Sequence, residues 1–224
     1  TWFWNRYPGA RCDVESMQSS YSFSEEIQSE WKWTELYATQ PEILRYINFV
    51  ADKLKLRDGI QLNTRVSAAH FDEATNLWTV QTESGESVAD RVCIMGTGCL
   101  SVPLTPPFEG LSDFRGTVYR TTEWPKEGVE FPGQRVGLMG TGSTAIQITP
   151  KLAATAKELC VFQRTPNYSI PAQNRPLTET DYSAWKTNYP ARRAQALNTK
   201  NNTMNNPGDR SGSELSPAQM EAEL

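Results

Sequence analysis

Arg135-Val136-Gly137-Leu138-Met139-Gly140-Thr141-Gly142-Ser143-Thr144-Ala145 is an apolar run that enters a tight glycine turn and leaves it as a helix-forming segment. A dinucleotide-binding βαβ unit begins in this way. Gly140 permits a sharp turn, and Gly142 lets backbone N–H groups approach a pyrophosphate. Small Ala145 lets helix and strand pack closely. The positive end of the helix attracts the anion.

Working outward, Leu159-Cys160-Val161-Phe162 reads as the next strand and ends in Gln163-Arg164-Thr165. An NAD site usually places Asp or Glu there for the ribose 2′-hydroxyl, whereas Arg suits the 2′-phosphate of NADP. Arg164 lies 24 residues beyond Gly140, near the offset expected for that position. The alternative reading of the same residues is an ordinary α/β turn with a surface arginine.

Composition narrows the classes. The chain has 224 residues, 38% of them apolar and seven of them Trp, enough for a real core. The net charge of −4 argues against a nucleic-acid partner held by bulk charge. No apolar run approaches the length of a membrane span. Cys12, Cys93, Cys99 and Cys160 form no CxxC pair, which argues against a dithiol reductase and against a metal site. This usage fits a cytoplasmic protein, with Cys93 and Cys160 as core residues. His70 has no second histidine to work with and reads as a strand residue.

Ser22 with Glu25 can form a capping box for a short helix through Glu30. Pro41 starts a clearer helix to about Lys55, with Ile43, Leu44, Ile47, Val50, Ala51 and Leu54 on one face. Strands are expected at Ile60–Asn63, Arg65–Phe71, Leu77–Thr82 and Arg91–Met95, with turns at 72–76 and 83–86. Three prolines within 101–107 read as a linker. Residues 108–133 are turn-rich, and 178–197 read as a helix interrupted near Pro190. Residues 198–217 read as a mobile loop, and 218–224 as the first turns of a helix.

Two further stretches carry a resemblance. Trp2-Phe3-Trp4-Asn5-Arg6-Tyr7-Pro8-Gly9-Ala10-Arg11-Cys12-Asp13 resembles the flavin-side signature of Baeyer–Villiger monooxygenases. The stretch from Phe114 to Pro125, with Gly116 and Trp124, resembles that family's fingerprint Phe-x-Gly-x-x-x-His-x-x-x-Trp-Pro. The Trp124-Pro125 ending favours this branch over other class B flavin monooxygenases. Phe162-Gln163-Arg164-Thr165-Pro166 matches the family's next strand end.

The resemblance implies an α/β fold: two dinucleotide-binding, Rossmann-like domains, both incomplete here, with a small antiparallel β-meander. Residues 1–103 would be the C-terminal part of an FAD-binding domain. Residues 104–224 would be the N-terminal part of an NADPH-binding domain. The implied reaction uses FAD, NADPH and dioxygen to insert one oxygen beside a ketone carbonyl, giving an ester or lactone, with no obligate protein partner. The implied flavin contacts are Thr1, Trp2, Phe3, Trp4, Asp13 and Val66. The implied NADP contacts are Arg11, Cys12, Asp13, Gly140, Thr141, Gly142, Ser143, Thr144, Ala145, Ile146, Gln147, Arg164 and Thr165.

Asp13 matches the family's active-site Asp, which orients the catalytic arginine and the cofactor amide. Trp31 and Trp33 read as core or rim residues. By the same resemblance, the FAD pyrophosphate loop would precede Thr1 and the catalytic arginine would follow Leu224. The segment alone is therefore expected neither to hold FAD tightly nor to turn over.

One position departs from the pattern. The fingerprint histidine is Arg120, which is permanently charged and exchanges no proton near neutral pH. Impaired activity, a different contact in this branch and a sequence error are the alternatives. Competing functions are an N- or S-oxidising class B monooxygenase and a non-catalytic NADP-binding protein.

Overall fold

The computed structural model describes residues 2–98, 100, 102–167, 169–199, 202–203 and 216–219. Thr1, Cys99 and most of the segment expected as a loop at 198–217 lie outside the described residues, as does the part of the helix expected at 218–224 that follows Gln219. The chain divides into two units, Ile47–Phe114 and Trp2–Tyr46 with Arg115 onward.

Two helices come first, α1 (Glu25–Glu30) and α2 (Gln40–Lys53). The cap of α1 is Ser24, not Ser22: its Oγ accepts from Ile27 N at 3.3 Å, because Ser24 is the residue with extended backbone just ahead of the first turn. Along α2, Ile43, Tyr46 and Val50 are buried, whereas Leu54 is exposed past the helix end.

The unit Ile47–Phe114 holds an antiparallel meander of β1 (Val66–Asp72), β2 (Leu77–Thr82) and β3 (Ser87–Asp90). His70 faces Thr79 and Val80 faces Val88 in the ladder. Asp72 closes the first hairpin by accepting from Ala74 N at 2.8 Å and Thr75 Oγ1 at 2.9 Å. These bonds, led by that from Thr75, hold its carboxyl below the ordinary range. The expected strands at Ile60–Asn63 and Arg91–Met95 are not formed. The third strand instead follows directly on the turn at Gly85, where φ is +87°. Ile94 is 88% exposed and has no ladder partner among the described residues, so apolar content alone does not make it a strand.

The other unit contains β4 (Arg135–Met139), α3 (Ser143–Ala153), β5 (Glu158–Phe162) and α4 (Glu179–Leu197). β4 and β5 pair in parallel, Val136 beside Leu159 and Leu138 beside Val161, with α3 as the crossover. Ile148 and Leu152 of α3 pack with Trp124 and Phe131, and Val136, Leu138 and Leu159 of the sheet close on that cluster. Met139 and Phe162 are exposed. Cys160 is exposed too, and Cys93 is half-buried, so neither is the core residue its apolar run implied. An apolar strand buries only the face that a helix covers.

Thr178 and Asp181 form a reciprocal capping box for α4, and Arg175 grips Asp181 with two bonds of 2.8 and 2.7 Å. That grip holds the Asp181 carboxyl well below the usual range. The helix bends at Asn188, two residues ahead of Pro190, whose ring cannot continue a regular turn. Tyr182 and Trp185 are buried, and the Tyr182 hydroxyl donates to Trp33 O. Trp33 is 2% exposed and packs 4.8 Å from the Tyr46 ring, while Trp31 meets it edge-on.

Candidate nucleotide site

Gly140 has φ +106° and donates its N–H to Phe162 O at 2.9 Å. That backbone conformation is strained for any side chain, although open space surrounds it. The turn delivers the chain to Gly142, the N-cap of α3. Gly142 has no side-chain oxygen, so the first N–H groups of the helix receive no cap. Helix N-termini left in this state bind anions. Ala145 is 8% exposed, as a close helix–sheet contact requires.

The loop is tied to the exit of β5. Thr141 Oγ1 donates to Thr165 O at 3.2 Å and accepts from Gln163 Nε2 at 3.3 Å. Asn167 Nδ2 donates to Thr141 O at 2.8 Å. The segment bearing Arg164 and Thr165 is thus fixed to the glycine turn. Arg164 is exposed and makes no ion pair among the described residues.

Residues 7–13 lie against the same helix. Gly9 has φ +86°, and a Cβ there would fall 2.4 Å from Gln147 O. Only glycine permits that approach. Gln147 Nε2 donates to Asp13 Oδ1 at 2.7 Å and to Arg11 O at 3.1 Å. Gln147 Oε1 accepts from Tyr7 Oη at 2.8 Å and from Arg11 N at 3.3 Å. Burial pushes the Tyr7 hydroxyl above its ordinary range. A hydrogen bond with Thr144 opposes the rise and the charge of Asp13 adds to it. Tyr7 is therefore a protonated donor at neutral pH.

Behind this segment, Gln40 N donates to Ala10 O at 2.8 Å, and Cys12 N to Ala38 O at 3.1 Å. Arg11 reaches Glu35 at 3.7 Å. Asp13 is exposed. Trp2 O accepts from Gln40 Nε2. Phe3 and Trp4 meet edge-on at 4.9 Å and are 48% and 62% exposed, with Arg6 and Lys126 over the Phe3 ring.

The structure therefore gathers Arg11, Cys12, Asp13, Gln147 and the α3 N-terminus into one unit. Val66 opens β1 in the other unit and is not among them. The fingerprint divides by role. Trp124 is core, packed on Tyr119 and Phe131. Arg120 precedes a short 3-10 turn, Thr121–Glu123, and lies 3.4 Å from Glu123. Tyr7 and Gly9 are the site residues that motif reading passed over. The signal was present in Tyr7-Pro8-Gly9, but a Pro-Gly pair reads as a turn unless its packing partner is known.

A family model described as pyridine nucleotide-disulphide oxidoreductase matches residues 12–203. The chain belongs to that family. A Baeyer–Villiger monooxygenase of Pseudooceanicola batsensis is 46% identical over 189 residues, covering 84% of this chain and 34% of the relative. The acetone monooxygenase (methyl acetate-forming) of Gordonia sp. is 41% identical over 185 residues, covering 83% and 34%. Among solved structures, oxidized steroid monooxygenase bound to NADP superposes with a TM-score of 0.87 at 48% identity, covering 99% of this chain and 42% of that one. The fold is thus Rossmann-like α/β with a small antiparallel sheet. The chain spans about a third of the length of the curated relatives it matches. Among the described residues, no helix is long and apolar enough to cross a membrane, and no cluster could hold a metal ion.

Proposed function

We propose that this chain forms the NADPH side, and part of the flavin side, of a Baeyer–Villiger monooxygenase that acts on a small ketone. On this reading it holds parts of two dinucleotide-binding domains, 1–103 on the flavin side and 104–224 on the NADPH side. The observation that carries the reading is the seating of the Tyr7–Asp13 segment on α3 through Gly9 and Gln147. It ties Asp13, in the stretch that resembles the flavin-side signature, by a hydrogen bond to the helix that begins at the glycine turn.

The residues fit NADP. The uncapped N-terminus of α3, from Gly142 through Ser143 and Thr144 to Ala145, suits a pyrophosphate, whereas Ile146 N already donates to Gly142 O at 3.0 Å. Arg164, which makes no ion pair among the described residues, lies beside Thr165 and suits a 2′-phosphate. Arg11, Cys12 and Asp13 would hold the nicotinamide end. The exposed rings of Phe3 and Trp4, next to half-buried Trp2 in the chain, suit the flat face of a flavin. When bound, FAD and NADPH supply hydride transfer and the activation of dioxygen.

The chain's own residues do simpler work. Gly140 and Thr141 fix the loop, α3 neutralises phosphate charge, and Asp13 presents a carboxylate at an oriented position. Arg120 holds Glu123 as a permanently charged guanidinium. The test is product analysis. A protein containing this chain, given NADPH, FAD and a ketone, should consume NADPH and yield an ester or lactone. Oxidation of a sulfide or amine with no ester formed would move the reading to the N- or S-oxidising branch. NADPH binding without consumption would make the protein non-catalytic.

A further inference from the structure

We infer that Gln147 is a positioning residue for Asp13, and not a contact of the nucleotide phosphates. The inference rests on the nucleotide reading above and deepens it. A primary amide offers two N–H donors and an oxygen with two lone pairs. In Gln147 all are engaged by the chain itself: Oε1 by Tyr7 Oη and Arg11 N, and Nε2 by Arg11 O and Asp13 Oδ1. Nothing is left over for a phosphate.

The orientation of the amide is forced. Arg11 N can only donate and Arg11 O can only accept, so the Gln147 oxygen must face the first and its nitrogen the second. Tyr7, a protonated donor, agrees with that choice. The second N–H of Nε2 is then directed at Asp13 at 2.7 Å. Asp13 is exposed, and its Oδ2 has no hydrogen-bond partner among the described residues. One carboxylate oxygen is pinned and the other is presented outward. Helix α3 thereby performs two tasks: its N-terminus serves the phosphates, and its second turn, through Gln147, aims Asp13 toward the nicotinamide end.

Isothermal titration separates this role from a phosphate contact. The probes are NADP⁺ and 2′-phospho-ADP-ribose, which has the same phosphates but no nicotinamide. Gln147→Leu should weaken NADP⁺ by about tenfold, the loss of one hydrogen bond to a charged group. It should leave 2′-phospho-ADP-ribose unchanged, which also shows that the fold persists. Gln147→Glu keeps size and planarity but sets a carboxylate against Asp13 and Arg11 O. Its NADP⁺ affinity should recover relative to the unsubstituted chain as pH falls and the new carboxyl takes up a proton. Equal weakening of both ligands by the two variants, or no weakening of either, overturns the positioning role. If the unsubstituted chain binds neither ligand, the nucleotide reading fails and this inference with it.

Discussion

Gly9 lies so close to Gln147 that a Cβ on it would fall 2.4 Å from the Gln147 carbonyl oxygen. The contact joins two motifs: Gly9 belongs to the stretch that resembles the flavin-side signature, and Gln147 to the helix that follows the nucleotide turn. Gly9→Ala would meet a backbone oxygen in a left-handed conformation, with no flexible side chain to yield. A cost of about 3 kcal/mol is expected from strain and overpacking together. Gly133→Ala, also at positive φ (+72°) but in open space, should cost about 1–2 kcal/mol. Urea unfolding midpoints of the two variants check the difference, and equal values would mean that the close approach is absent in solution.

Trp124 and Arg120 share the fingerprint but should behave oppositely. Trp124 is 7% exposed at the centre of the Phe131–Ile148–Leu152 cluster, so Trp124→Ala should cost about 3–5 kcal/mol. Arg120 pairs with Glu123 in solvent, and Arg120→His should change stability by less than about 1 kcal/mol. Thermal melts of both variants test the division. If Arg120 impairs turnover, Arg120→His should restore flavin reoxidation in a protein containing this chain.

Burial pushes the Tyr182 hydroxyl up to about 12, with the charges of Glu42, Glu179 and Asp181 adding to it. A phenol whose folded value lies above its ordinary 10 favours folding in its protonated form. That contribution is complete below pH 10 and is lost as pH rises from about 10 through 12. Denaturation midpoints across this range should fall, and Tyr182→Phe should flatten the fall. An unchanged slope in Tyr182→Phe would place the alkaline sensitivity elsewhere.

The βαβ unit was legible because its signals are local. The Gly140 turn, Ala145 against the sheet and the helix over 178–197 bent near Pro190 each follow from a few neighbouring residues. The strand expected at Arg91–Met95 was not, because ladder partners rather than composition decide a strand. Ser22 reads as the α1 cap because a Ser-x-x-Glu spacing is visible in sequence, whereas the extended backbone that makes Ser24 the cap is not. The role of Gln147 could not be read at all. It depends on residues 136 and 134 positions away, Arg11 and Asp13, and no spacing rule connects them.

Arg164 decides most directly whether the glycine turn serves NADP. Titration of the chain with NADP⁺ and NAD⁺ should show NADP⁺ preferred by at least about tenfold, the worth of a charge-assisted contact to the 2′-phosphate. Arg164→Ala should abolish the preference while leaving NAD⁺ affinity unchanged. Equal affinity of the unsubstituted chain for the two nucleotides, or a preference that survives in Arg164→Ala, would contradict the account.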